Sequence, residues 1–138
     1  MRFYSVIIPV YNRPQEVLEL LETLTEQTYT HFEVLIVEDG STDKCEHIVK
    51  EFSQQLDISY YYKPNSGQGF SRNFGFERAK GDFLVVFDSD CLIPKDYFEV
   101  VENHLNQIPL DAYGGPDRAH SSFTPLQKAR LLEELITF

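Results

Sequence analysis

The sequence predicts an α/β domain, a mainly parallel sheet with helices on both faces. Three observations predict it. Strand-like and helix-like runs alternate four times, which is the pattern of parallel sheets. The strand-like runs are nearly continuous apolar stretches, as expected where helices cover a sheet on both sides. The chain has 138 residues, 42% of them hydrophobic, which suits one compact domain with a buried core.

Tyr4–Pro9, rich in Val and Ile, reads as a buried first strand. Pro14 fits the first position of a helix, where its missing N–H costs nothing. Val17, Leu18, Leu21 and Leu24 then recur at helical spacing. Phe32–Val37 is the second strand. It ends in Glu38-Asp39-Gly40-Ser41-Thr42-Asp43, where Thr42 or Asp43 is expected to cap the next helix. Cys45, Ile48, Val49 and Phe52 give that helix its apolar stripe. Ile58–Tyr62 is a third, aromatic strand, followed by a Gly/Asn/Ser loop over Lys63–Gly69 and a helix over Phe70–Ala79. Gly81-Asp82 turns into the fourth strand, Phe83–Phe87, read as buried. Pro94 opens a helix with Tyr97, Phe98, Val101 and Leu105 facing inward. Ala112–Gly114 reads as a short fifth strand, Gly114–Phe123 as a loop, and Pro125 as the start of a last helical segment.

Composition excludes several classes. A net charge of −10 argues against a general nucleic-acid grip, which needs clustered Lys and Arg. No apolar run approaches the roughly 18 residues of a membrane span, and MRFYSVIIPVYN lacks a signal-peptide cleavage pattern. Cys45 and Cys91 are too far apart for a zinc ribbon or a disulfide framework and read as buried thiols in a reducing compartment.

Right-handed crossovers place all strand-to-helix loops at one sheet edge, where ligands of such sheets sit. That gathers Val10–Arg13, Glu38–Asp43, Lys63–Gly69 and Asp88–Ile93. In FLVVFDSDCLIP, Asp88 and Asp90 come after an apolar strand with only Ser89 between them. Residues i and i+2 of a strand point the same way. Two carboxylates about 6 Å apart repel by roughly 3 kcal/mol at an effective dielectric of 20. Solvation, protonation, separation or a cation would relieve this, and carboxylate oxygens suit Mg²⁺ or Mn²⁺. The plain alternative is a polar turn. Asp39 comes directly after its strand and faces the same edge. Gly67-Gln68-Gly69 is either a flexible turn or a backbone approach to an anion at a helix N-terminus. Arg72 either reaches that anion or is an ordinary surface arginine.

Other motifs fail. A dinucleotide fingerprint needs glycines after the first strand, where Val10-Tyr11-Asn12-Arg13-Pro14 stands. A Rossmann-type oxidoreductase is thereby disfavoured. The calcium-loop spacing breaks at Lys44 and Lys50.

Taken together, VIIPVYNRP, VEDGSTD, NSGQGFSRNFG and FDSD, in that order, resemble the nucleotide-binding half of family 2 glycosyltransferases. The similarity runs from Tyr4 to Pro94, with Tyr113-Gly114-Gly115-Pro116 a looser match. The resemblance implies a Rossmann-like GT-A fold and inverting transfer of a sugar from a nucleotide-diphosphate donor, with UDP-sugar expected, to an acceptor hydroxyl. It implies that Pro9, Tyr11 and Arg13 line the base and ribose, and that Asp39 meets the uracil N–H. Arg72 would lie near the base and diphosphate. Asp88 and Ser89 would face the donor, and Asp90, with Asp88, would hold Mg²⁺ or Mn²⁺ at a DxD motif. The acceptor would be a glycan or lipid-linked molecule in polysaccharide biosynthesis. The family's general base lies further along the chain, and neither Asp111 nor Asp117 sits in a matching motif. Residues 1–115 are expected to be the nucleotide-sugar-binding core, and 116–138 a loop and helix toward a missing acceptor region. LQKARLLEELITF stops at Phe138 without a Gly or Asn cap. A truncated chain that binds donor without transferring it is therefore expected, with self-association through the last helix. A non-catalytic nucleotide-sugar-binding module is the alternative. The expected location is cytoplasmic, peripheral at the membrane in a longer protein.

Overall fold

The structure is a computed structural model in which residues 1–113 are described. Strands and helices alternate as β1 (Tyr4–Val10), α1 (Pro14–Thr25), β2 (Phe32–Asp39), α2 (Glu46–Glu51), β3 (Ile58–Lys63), α3 (Gln68–Phe76), β4 (Phe83–Val86) and α4 (Tyr97–Gln107). The four strands form one sheet in the order β3-β2-β1-β4, and every pairing is parallel. β1 and β2 occupy the two inner positions and are buried at every residue. Their unbroken apolar runs result from that placement.

The register shows which helix covers which face. Tyr4 pairs with Phe32, and both rings pack on Phe98 of α4, with centroids 5.4 and 4.7 Å away. Phe87 and Phe83 extend this aromatic cluster, each such ring pair adding about 1 kcal/mol beyond area burial. Side chains alternate along a strand, so Ser5 and Ile7 face the other way. There α3 crosses β1 and β2, and a Cβ on Gly75 would lie 2.7 Å from Ile7 Cγ2. Glycine allows that approach. Ser5 Oγ donates to Glu33 Oε1 (2.6 Å) and accepts from the Gly81 N–H (2.8 Å), while Glu33 Oε1 also accepts from the Lys80 N–H (2.8 Å). This buried polar set fixes the turn that feeds β4.

Several boundaries differ from the sequence expectation. α3 begins at Gln68 rather than Phe70, because Gly67 supplies the positive φ (99°) that turns the chain into the helix. α4 begins at Tyr97, three residues beyond Pro94. No side chain caps α2: Cys45 stands at its N-cap, and the Thr42 and Asp43 amides are bonded elsewhere. β4 stops at Val86 and is not a buried strand, since Leu84 is 47% and Val86 37% exposed. Among the described residues it is one of the two edge strands, and α3 covers β1 and β2 instead. Ala112 and Tyr113 are not in a strand among the described residues; Gly114, the loop after it and the helix expected from Pro125 lie outside them.

Contacts divide the chain into two units, Met1–His104 and Leu105–Phe138. The sheet and α1–α3 belong to the first. Among the described residues, no helix is long and apolar enough to cross a membrane.

Candidate functional site

An open cleft of about 300 Å³ lies at the carboxyl edge of the sheet. Because all strands run parallel, the segments at their carboxyl ends build it. The end of β1 and its loop give Pro9, Tyr11 and Arg13. β2 ends there in Asp39, the first turn of α3 gives Gln68 and Ser71, and the segment after β4 gives Asp88, Ser89 and Asp90. Seven of the eight residues singled out in the sequence thus share one cavity. The eighth, Arg72, sits at its margin, with Nη2 3.7 Å from Asp88 Oδ1 and 3.4 Å from Gln68 Oε1. Arg72 Nε is buried without a hydrogen-bond partner among the described residues, a deficit worth about 1–3 kcal/mol.

Asp88 and Asp90 are not held side by side on a strand. Both lie past the end of β4, where the Cys91 N–H closes a turn onto the Asp88 carbonyl (3.1 Å). Both are exposed. In water the repulsion at 6 Å falls to about 0.7 kcal/mol, so solvation and the turn relieve the conflict without a bound cation. Asp88 leans toward Arg72, whereas Asp90 takes part in no ion pair found among the described residues.

Asp39 is the opposite case. It is 5% exposed and its carboxylate is surrounded by donors. Oδ1 accepts from Lys63 Nζ (2.5 Å) and the Ser66 N–H (2.8 Å); Oδ2 accepts from the Gly67 N–H (2.9 Å) and Asn65 Nδ2 (3.4 Å). Burial alone would push this carboxyl up. The hydrogen bond from Lys63, those from Ser66 and Gly67, and the Lys63 charge more than offset it and hold the carboxyl below the usual carboxylate range. Lys63 Nζ also donates to Ser66 Oγ and to the Pro64 carbonyl. Asp39 therefore fixes the β3–α3 loop as well as lining the cleft.

That loop delivers the N-terminus of α3. The helix has no side-chain cap and no acidic residue in its first turn. Its first N–H groups, beside Gln68 in the cleft wall, favour an anion. The other side of the cleft is tied through Asn12, whose Oδ1 accepts from the Thr42 N–H (2.9 Å) and the Asp43 N–H (3.0 Å). Lys63, Asn12 and Glu38 do not stand out as functional residues in the sequence. For Lys63 a signal exists, because it is the register partner of Asp39 at the ends of paired strands. The partners of Asn12 lie in another loop, and those of Glu38 are Ser41 and Cys45 just after it and Tyr60 on β3; no spacing reveals either set.

Two carboxylates in an open cleft are a donor set that suits Mg²⁺ or Mn²⁺, which keep waters and take phosphate oxygens beside one or two carboxylates. No group of three or more His, Cys, Asp or Glu able to hold a metal alone occurs among the described residues, so phosphate or water would have to complete the shell.

The crystal structure of residues 1–349 of Staphylococcus aureus TarS in complex with UDP-GlcNAc superposes with a TM-score of 0.75 at 30% identity, over 88% of this chain and 39% of that one. The fold is that of the GT-A glycosyltransferases. The model of "Glycosyl transferase family 2" matches residues 5–136, and the chain belongs to that family. Among curated relatives, a protein named "Uncharacterized glycosyltransferase" from Rickettsia felis is 41% identical over 96 residues, covering 70% of this chain. The minor teichoic acid biosynthesis protein GgaB of Bacillus subtilis is 35% identical over 117 residues, covering 79% of this chain. The chain spans 16% of the first of these proteins and 13% of the second.

Proposed function

We propose that the cleft binds a nucleoside diphosphate sugar, with a uridine nucleotide preferred, and that residues 1–115 act as the donor-binding core of an inverting glycosyltransferase. One observation carries this reading: three segments distant in sequence bring Pro9, Tyr11, Arg13, Asp39, Asp88, Ser89 and Asp90 around one cavity. The UDP-GlcNAc complex of TarS supports the choice of donor class. Tyr11 and Arg13 offer an aromatic face and a cation to the base and ribose. The α3 N-terminus and Arg72 favour the diphosphate. Asp90, with Asp88, would hold Mg²⁺ or Mn²⁺. When bound, that ion neutralises charge growing on the leaving diphosphate.

Transfer also needs a carboxylate to take the proton from the attacking hydroxyl. None of the cleft residues is assigned that role, so donor binding would be the activity of this core, with the base supplied further along a longer polypeptide. A glycan or lipid-linked acceptor would be engaged by an acceptor region of a longer polypeptide, toward which residues 116–138 lead. Calorimetry with UDP, with and without Mn²⁺, tests the reading. UDP is expected to bind, about tenfold tighter (about 1.4 kcal/mol) with Mn²⁺, and Asp90→Ala to abolish the metal effect. Negligible heat at millimolar UDP in a folded sample would sink the nucleotide reading. A mutant whose affinity still rises with Mn²⁺ as in the parent would sink the role of Asp90.

A further inference from the structure

Asn12 is the sole non-glycine residue with positive φ (52°) among the described residues. Asparagine tolerates that region better than most residues, yet it is still a conformation that surroundings must enforce. The surroundings here are specific. Its Oδ1 accepts from the Thr42 N–H (2.9 Å), Thr42 Oγ1 (3.3 Å) and the Asp43 N–H (3.0 Å). Its own N–H donates to Ser41 Oγ (2.8 Å), and Ser41 Oγ donates to Glu38 Oε2 (2.6 Å). Ser41 and Glu38 are 1% and 0% exposed. Glu38 Oε1 in turn accepts from the Cys45 N–H (2.7 Å) and the Tyr60 hydroxyl (3.0 Å). Both oxygens of a fully buried carboxylate are thus committed, and Glu38 is a fixed post inside the sheet edge.

The residues on either side of Asn12 are Tyr11 and Arg13, which line the cleft. Tyr11 is 52% exposed and the Arg13 side chain 60%. Neither has core packing to set its direction; Arg13 Nη1 is paired with Glu16 Oε1 (3.1 Å), and the backbone between Tyr11 and Arg13 sets where both side chains start. We propose that Asn12 is a positioning residue: held through its side-chain oxygen by the Thr42 and Asp43 amides, and through its own N–H by Ser41 and Glu38, it sets the backbone from which Tyr11 and Arg13 engage a nucleoside diphosphate. The inference rests on the nucleotide reading of the cleft. A loop already in its binding conformation spares the ligand the work of ordering it. If only a tenth of the molecules keep that conformation, the dissociation constant rises about tenfold.

Three variants separate side-chain bonding from backbone strain. Asn12→Gly keeps the left-handed backbone free of strain but removes the acceptor. Asn12→Asp keeps the acceptor and tolerates the same φ. Ser41→Ala cuts the link to Glu38. UDP affinity is measured for each by calorimetry, well below every unfolding midpoint, with the midpoints recorded separately. Asn12→Gly and Ser41→Ala are expected to weaken UDP binding about tenfold, with Asn12→Asp within about threefold of the parent. A purely structural role would lower the midpoints and leave the affinity of the folded protein unchanged. Parent-like affinity in Asn12→Gly, or equal weakening by Asn12→Gly and Asn12→Asp, overturns the inference while leaving the nucleotide reading intact. A parent that takes up no UDP at millimolar concentration overturns that reading, and the inference with it.

Discussion

Replacing Lys63 by methionine should destabilise the domain in a way that depends on pH. The substitution keeps the aliphatic stem and removes one charge, leaving Asp39 buried without its cation. Breaking a buried ion pair by deleting one partner costs about 3–5 kcal/mol. Here the Ser66 and Gly67 N–H groups still donate to Asp39, so the lower end, about 3 kcal/mol, is expected at pH 7. That corresponds to a fall in melting temperature of about 10 °C. In the parent, the folded Asp39 carboxyl titrates below its unfolded value of about 3.9. Its contribution is therefore present above that pH and lost as pH falls through the folded value. Without Lys63, burial raises the folded value relative to the parent. The gap between parent and Lys63→Met must then be widest near neutrality and narrow as pH falls below about 4. Urea titrations of both proteins at pH 7 and pH 3.5 measure it. A gap under 1 kcal/mol at pH 7, or one unchanged at pH 3.5, would refute the account of Asp39 as a carboxylate held charged by Lys63.

Two further outcomes test the packing. Gly75→Ala gains about 1 kcal/mol of helix propensity, but its Cβ meets the fully buried Ile7 at 2.7 Å. Overpacking of about 1–3 kcal/mol should win, giving a lower melting temperature that Ile7→Val partly restores; a stabilised Gly75→Ala contradicts the close approach of α3 to β1. Cys45 is fully buried, and its burial, together with the nearby Glu38 charge, pushes the thiol up. A thiol reagent should label at most one cysteine quickly in the native protein, the partly exposed Cys91, and two after denaturation. Fast native labelling of both would show that α2 opens readily.

How much of the fold is legible in the sequence depends on whether a residue's partners are local. β1 and β2 are legible because inner strands carry continuous apolar runs, here Val6–Val10 and Val34–Val37. The gathering of loops comes from parallel topology alone, and it brings Tyr11, Asp39 and Asp88 to one cavity. The edge position of β4 is not legible, because a run such as Phe83–Phe87 gives no sign of it; Leu84 and Val86 are apolar and exposed. The cap expected at Thr42 or Asp43 fails because α2 begins only at Glu46, with Cys45 at its N-cap. A turn-rich stretch signals local bonding, yet those amides bond Asn12, 30 and 31 residues away in sequence. The sequence places Asp39 at the cleft, but the four donors that occupy it come from the next strand and loop, beyond any local pattern.

The bonds between loops have a consequence for engineering. Asn12 serves the amides of the second loop, Ser41 serves the amide of the first, and Asp39 serves those of the third. Gly40 presses on Asn65 so closely that a Cβ would lie 2.5 Å from its backbone nitrogen. A graft of the β1–α1 loop alone from another α/β domain would leave the exposed Thr42 and Asp43 amides to water and remove the tie between the two loops. A graft of the β3–α3 loop alone would strip Asp39 of its donors. The three segments are exchangeable only together, as a single cassette scattered over 56 positions of the chain, from Asn12 to Gly67.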